Sequence, residues 1–363
     1  MRVTLGRTGR SMLCALSSVA LTTALPHATA AAAVGEASRI PFTERYRAVQ
    51  HGGLVRTANT SVTCESTAGE KVPCADAKAG AKGSNGDYRM TYIDVDKDPN
   101  TYNSSRAELK LPENATVSYA RLYWGGNLRV GEQKPVKDNG RVLFAEPGGQ
   151  YKEVLADTTI GHLSGSGFDA YSASADVTGI VKDANPGAFT VAQINIAKGH
   201  SAAGTWGGWT LVVAYTDQTA PLRELAVWDG FESLSAERRS YALTLDGLRI
   251  PAKGSGRLGV VAYDGDRGSG RNALSVRADR APAVALHDDA NPADDAMNST
   301  IADAGRPVSG RQPSYRNTLG YDSDVYDLRP VLGNGAEELT VGFGTEEEGY
   351  HVGALFLQAD ASR

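Results

Sequence analysis

The sequence predicts an all-β protein made of two tandem, related antiparallel β-sandwiches of jelly-roll type. Short alternating or β-branched runs recur along the chain, 41 glycines punctuate them, and no segment sustains a helical period. The C-terminal third also repeats a stretch of the middle in order. Asp176-Val177-Thr178-Gly179-Ile180-Val181, Thr190-Val191 and Leu211 to Asp217 return as Asp324-Val325-Tyr326-Asp327-Leu328, Thr340-Val341 and Ala354 to Asp360. A second echo pairs Ala120 to Gly126 with Gly256 to Gly265. Two copies of one unit are the simplest source of such a pattern.

The chain opens with Arg2, Arg7 and Arg10, an uncharged run from Met12 to Leu25, and a small-x-small site at Ala28-Thr29-Ala30. This reads as a secretory signal peptide over residues 1–30, because the apolar run is shorter than the roughly 20 residues a membrane span needs. Residues 31–44 read as an N-terminal extension. The first sandwich is placed at 45–218, where Tyr88 to Asp96 and Thr116 to Trp124 alternate and Trp209 to Tyr215 is nearly all apolar. A short helix is expected over Val177 to Asp183, with an echo over Val325 to Leu332. The second sandwich is placed at 222–361, on the runs Leu225 to Phe231, Tyr241 to Leu245, Leu258 to Tyr263, Leu339 to Phe343 and Val352 to Leu357. The link from Asp217 to Pro221 is too short to be a flexible tether.

The formal net charge is −5, and loss of residues 1–30, which hold three arginines and no acid, makes it more negative. That disfavours nucleic acid or anionic lipid as partner. No later stretch is long and apolar enough for a transmembrane segment. Without Cys14, which leaves with the leader, Cys64 and Cys74 remain as an even pair, expected to form a disulfide in an oxidising compartment. Their nine-residue gap fits neither Cys-x-x-Cys chemistry nor zinc spacing.

Asp94, Asp96 and Asp98 stand at i, i+2 and i+4, which on a continuing strand places three carboxylates on one face, about 7 Å apart. Such a row repels itself unless hydrated or drawn together by a hard cation, so these three are candidate Ca²⁺ ligands. Asp264 with Asp266, and Asp322 with Asp324, are weaker candidates of the same kind. Trp206, in Gly204-Thr205-Trp206-Gly207-Gly208-Trp209, is a candidate sugar-stacking platform on a glycine-rich loop, whereas Trp124, Trp209 and Trp228 read as core. His162, Ser164, Ser166 and Asp169 have the residue types of a hydrolytic triad but sit in a loop-like stretch, where spacing says nothing of geometry. No serine has a glycine two residues before and two after it, and His-Glu-x-x-His is absent. Gly254 to Gly259 matches a dinucleotide pattern literally but precedes a strand, so no helix N-terminus follows it. Glu346-Glu347-Glu348 reads as a charged hairpin tip. No catalytic residue is assigned.

Several motifs together resemble a family of secreted bacterial surface proteins. They include Tyr92-Ile93-Asp94-Val95-Asp96, Leu122-Tyr123-Trp124-Gly125-Gly126, Gly208 to Val213, Asp229-Gly230-Phe231, Gly259 to Tyr263, Asn298-Ser299-Thr300-Ile301 and Leu319-Gly320-Tyr321-Asp322. In that family this region is an N-terminal ectodomain, often followed by conserved repeats of unknown function and an anchor. The resemblance implies an exported, actinobacterial-type protein and supplies no activity or catalytic residues. The expected function is a secreted, non-catalytic binding or adhesive module, extracellular or loosely held at the cell wall. Its loops would recognise glycan or cell-envelope polymer, with Ca²⁺ as a stabilising ion. The alternatives are a structural component of an extracellular assembly and a polysaccharide hydrolase working through Asp or Glu.

Overall fold

The computed structural model describes Met1 and residues 34–96, 98–268, 271–347 and 349–362. The leader read over residues 1–30 lies, Met1 aside, outside the described residues. Val34–Arg363 form one compact unit, nearly all β as the alternating pattern predicts.

In chain order the first half supplies β1 (Glu36–Ala37), β2 (Ile40–Thr60), β3 (Ser104–Leu109), β4 (Thr116–Asn127), β5 (Arg141–Ala145), β6 (Lys152–Leu155), β7 (Ile160–Ser164), β8 (Asp169–Asp176), β9 (Gly187–Ala192) and β10 (Gly207–Thr216). The second half supplies β11 (Leu222–Leu234), β12 (Ser240–Leu245), β13 (Gly256–Tyr263), β14 (Asn272–Ala278), β15 (Tyr321–Asp327), β16 (Leu339–Thr345) and β17 (Tyr350–Asp360). The strand order β8-β4-β10-β2 returns as β15-β13-β17-β11, and the order β5-β9-β3 returns as β14-β16-β12. Each half thus has an inner and an outer sheet.

Strand alternation explains how the inner strands, one continuous 12-stranded sheet joined through β2, and the two outer sheets share three apolar layers. On β10, Trp209, Leu211 and Val213 face the outer strands of the first half, beside Phe144, Phe189 and Val191. On β13, Leu258, Val260 and Ala262 face the outer strands of the second half, beside Val276, Val341 and Phe343. The opposite faces meet each other: Tyr123 and Val212 from one inner sheet join Val227, Val261, Tyr263, Ala354 and Phe356 from the other. This seam makes the inner strands apolar on both faces, which is why they read as nearly continuous hydrophobic runs. Polar ties cross it. Thr210 Oγ1 lies 2.7 Å from the Tyr321 hydroxyl and donates to Ser323 Oγ at 3.0 Å. The buried Arg121 donates to Asp229 Oδ2 at 3.1 Å, and Arg45 donates to Asp229 Oδ1 at 2.5 Å.

Three sequence expectations need correction. Residues 36–44 are not an extension ahead of the fold. Strand β2 pairs through Gly52–Thr60 with β10 and through Ile40–His51 with β11, so its first half completes the second inner sheet. The run from Tyr88 to Asp96 is strand only over Arg89–Tyr92, paired with Val62–Glu65, and then bends. The echo of the short helix is also absent: Thr178–Lys182 is helical, with Asp176 accepting the Thr178 N–H at 2.8 Å, whereas Val325 to Asp327 complete β15 and a turn follows. The Cys64–Cys74 disulfide forms, tying the Val62–Glu65 strand to a short helix at Cys74–Lys78. Among the described residues no helix is long and apolar enough to cross a membrane.

Glycines inside the inner strands let rings lie flat on the seam. A Cβ on Gly259 would stand 1.9–2.3 Å from the Phe356 ring, and one on Gly125 would stand 2.9 Å from the Tyr263 ring. Gly259→Ala should therefore cost about 1–3 kcal/mol in urea unfolding, the range for an overpacked core. Phe356→Leu in the same chain should recover part of that loss. Additive effects of the two changes in a double-mutant cycle would show that the ring does not press on Gly259.

Candidate functional site

The three leading carboxylates do not share a strand face, because the strand ends before them. Asp96 and Asp98 instead sit in turns of their own, and Asp94 is bridged to Ser104. Asp94 accepts from Ser104 Oγ at 2.8 Å, and Asp96 accepts the Asp98 N–H at 2.9 Å and the Tyr151 hydroxyl. Asp98 accepts the Asn100 N–H at 2.9 Å and its side-chain amide at 2.8 Å. These are the local bonds that make Asp a turn residue. Among the described residues no three His, Cys, Asp or Glu side chains are gathered on one point as a metal site.

Trp206 is not an exposed platform. It is fully buried, as are Trp124 and Trp209, because Gly207 and Gly208 belong to β10 and draw the indole into the seam. There it packs on Tyr263 at 5.8 Å and on His351 at 5.4 Å between ring centroids. His351 also meets Phe168 and Phe231, each at 5.5 Å. In the β11–β17 ladder His351 is the direct partner of Ser233, and Ser233 Oγ lies 2.7 Å from His351 Nδ1.

Phe168 and His351 of this cluster line a cavity of about 410 Å³ at one end of the seam. Its wall combines apolar Leu163, Phe168 and Leu234 with Ser38, Ser233, Asp264 and His351, and Arg39 and Arg238 stand at its rim. Both arginines are already engaged: Arg39 Nε donates to both oxygens of Glu232 at 2.9 Å, and Arg238 donates to the same buried carboxylate. Asp264 adopts φ +67°, a region that Asp tolerates better than most residues. Its Oδ1 accepts the Asn85 amide at 3.3 Å. Burial first, and the charge of Asp266 second, push its carboxyl well above the usual range, favouring the protonated form. The Trp206 indole N–H faces this carboxyl and favours its charged form slightly, without coming within hydrogen-bond distance. Asp266 points away, accepting the Asn85 N–H and side-chain amide at 3.1 Å each and the Ser84 hydroxyl. The two acids are therefore adjacent in sequence but separate in role.

Asp322 and Asp324 lie elsewhere, buried on the face of β15 that looks toward the second outer sheet. The triad-type residues do come together, though not as a triad. His162 Nε2 lies 2.9 Å from Asp169 Oδ1 and its Nδ1 lies 2.7 Å from Glu36 Oε2, while the Ser164 hydroxyl donates to Asp169 and not to the imidazole. A serine bonded to the acid has no base to activate it. Sequence reasoning missed the cavity because its lining comes from five separated segments. The one available signal was a serine and a histidine at the ends of two apolar runs.

Burial holds the His351 imidazole neutral, lowering its pKa from 6.5 to about 4. The unfolded chain takes up this proton near pH 6.5 and the folded protein does so only near pH 4, so stability from this group is lost as pH falls across that window. Asp324 opposes it: burial raises its carboxyl from 3.8 to about 7, and stability from that group is lost as pH rises across its own window. His351→Gln removes only the first effect. Its stability in denaturant should fall less than that of the parent between pH 6.5 and 4, by up to about 3 kcal/mol. Identical pH profiles would show that His351 is protonated in the fold.

No curated protein matches the chain. Residues 80–249 match the model of a family described as a protein of unknown function (DUF3344). The match runs from the segment before the Arg89–Tyr92 strand through β3 to β12 and leaves out β1 and β2. The chain therefore contains a DUF3344 domain, of an uncharacterised family.

Proposed function

We propose that this protein is an exported, non-catalytic recognition module that holds a neutral saccharide unit of an envelope or neighbouring polymer in the cavity at the end of the seam. The cavity is the observation that carries this reading. At about 410 Å³ it lies toward the small end of the range for small-molecule sites, roughly 300–1,000 Å³. Phe168 offers a ring against which the C–H face of a sugar packs, and Leu163 and Leu234 extend that apolar wall. Beside them are Ser38, Ser233 and the Asp264 carboxyl, whose protonated form, favoured by burial, both donates and accepts. Arg39 and Arg238 are both bonded to Glu232, and Glu237 adds a second carboxylate to the lining, so the cations there are matched by acids. That suits a polyhydroxylated neutral ligand better than a phosphate or carboxylate. Export is supported by the signal-like residues 1–30 and by the Cys64–Cys74 disulfide.

A glycan array followed by titration calorimetry with wall-polymer fragments tests the reading. Phe168→Ala should weaken binding about 10-fold, the equivalent of losing one aromatic contact of roughly 1.4 kcal/mol. Asp264→Asn should stay within about threefold of the parent, since the amide keeps both a donor and an acceptor and tolerates the same backbone. The reading fails if no saccharide binds, or if binding is indifferent to Phe168.

A further inference from the structure

The segment from Asp288 to Asp303 joins β14 to β15 and folds over the outward face of β15. Its Thr300 occupies an unusual position. Thr300 Oγ1 has one proton to donate, yet Asn291 Oδ1 at 2.9 Å, Asn298 Oδ1 at 3.0 Å and both carboxylate oxygens of Asp324 at 3.1 Å surround it. At most one of these contacts is a hydrogen bond donated by Thr300, and the rest set oxygen against oxygen. The Asn298 amide is fixed in this sense, because its Nδ2 donates to the Ala290 carbonyl at 2.8 Å.

Around this point further polar atoms are buried without a protein partner: Asp322 Oδ2, Asp288 Oδ2 and Asn291 Nδ2. Asp322 is 1% exposed and Asn291 fully buried. Asp322 uses its other oxygen to accept the Thr300 N–H at 3.0 Å, and Asp324 accepts the Ala302 N–H at 2.7 Å. Asp288 Oδ1 accepts the N–H groups of Ala290 and Asn291, which aligns the start of the segment. Turning the Asn291 amide over would give Thr300 a donor and would leave an amide oxygen beside the carboxylates, with Asp322 Oδ2 still unpaired. Charge points the same way. After burial, the Asp322 carboxyl feels Asp324 and Asp295 most strongly, and Asp324 feels Asp288. The neighbouring cations Arg56 and Arg311 lie toward Asp324.

We propose that Asp288, Asn291, Asp322 and Asp324, beneath the 288–303 segment, bind one hard divalent cation of the calcium class. The set offers only oxygen, from carboxylates, amides and one hydroxyl, which selects against soft metals. Irregular oxygen sets of this size suit Ca²⁺, which accepts six to eight ligands in flexible geometry, better than Mg²⁺, which demands a near-ideal octahedron. The carboxylates are not gathered on one point. Burial favours protons on Asp322 and Asp324, and a divalent ion would displace those protons and draw the oxygens in. Binding would fasten the covering segment, including Ala302–Asp303, to β15. This goes beyond the saccharide reading, and neither depends on the other.

The test uses the purified full chain, stripped with EDTA and titrated with Tb³⁺ under tyrosine excitation. The buried Tyr326, whose hydroxyl donates to the Ala296 carbonyl at 3.0 Å, is the local sensitiser. Emission should saturate near one equivalent and be displaced by Ca²⁺ well before Mg²⁺. Calcium at 100 times its dissociation constant should raise Tm by about 5 °C. Asp322→Asn should weaken binding at least about 10-fold. Asp288→Asn, on the more accessible side, should do the same and serves if the first variant does not fold. Asp96→Asn should leave binding unchanged, separating this site from the Asp94–Asp98 turn. Absence of Tb³⁺ emission overturns the proposal, as does binding that survives both Asp322→Asn and Asp288→Asn. So does an Asp322→Asn protein more stable than a calcium-indifferent parent, since protons would then satisfy these carboxylates.

Discussion

The packing of two inner sheets against each other governs the rest of this molecule. A sheet buried on both faces cannot carry the usual outward row of polar side chains, so β4, β10, β13 and β17 are apolar on both sides. Close approach then needs local relief, and glycine supplies it. Gly125 and Gly353 lie under the Tyr263 ring, Gly259 lies under Phe356 and Gly161 under Phe231. A glycine in a strand interior weakens that strand, but here the missing side chain is replaced by a ring from a neighbour. The few polar groups that enter the seam are answered across it, as Arg121 is by Asp229 and Thr210 by Tyr321 and Ser323. Removing one partner would leave an uncompensated buried group, which costs far more than the bond is worth.

Much of this was legible before any coordinates. The tandem echo follows the strand order that recurs between the halves, since Leu211 to Asp217 and Ala354 to Asp360 fall in β10 and β17 or just beyond. Both depend on a local signal, period-two hydrophobicity, that survives in a single sequence. The cysteine pair was legible for a similar reason. What failed depended on partners distant in sequence. Ile40 to His51 alternates poorly and carries Arg45, Arg47 and Gln50, so nothing local marks it as a strand, and β11 completes it from about 180 residues away. Trp206 was misread because glycines on both sides signal a turn, whereas Gly207 and Gly208 continue a strand beneath other side chains.

Acids illustrate the same limit at the level of chemistry. Asp96, Asp264 and Asp322 look alike in sequence, each within a short acidic pattern. One is held in a turn by N–H and O–H donors, one lies on a cavity wall where burial pushes its carboxyl up, and one is buried with an unpaired oxygen. Environment and not spacing separates them. The cavity was invisible for the same reason, being assembled where β7, β11 and β17 end together at the edge of the seam.

The double pairing of β2 has a consequence for biogenesis. Its residues are made first, yet its leading half finds a partner only when β11 has been synthesised, and β11 in turn leans on β17 at the very end of the chain. Such distant contacts delay closure of the fold. The leading half of β2 therefore stays unpaired until β11, which ends at Leu234, has been made.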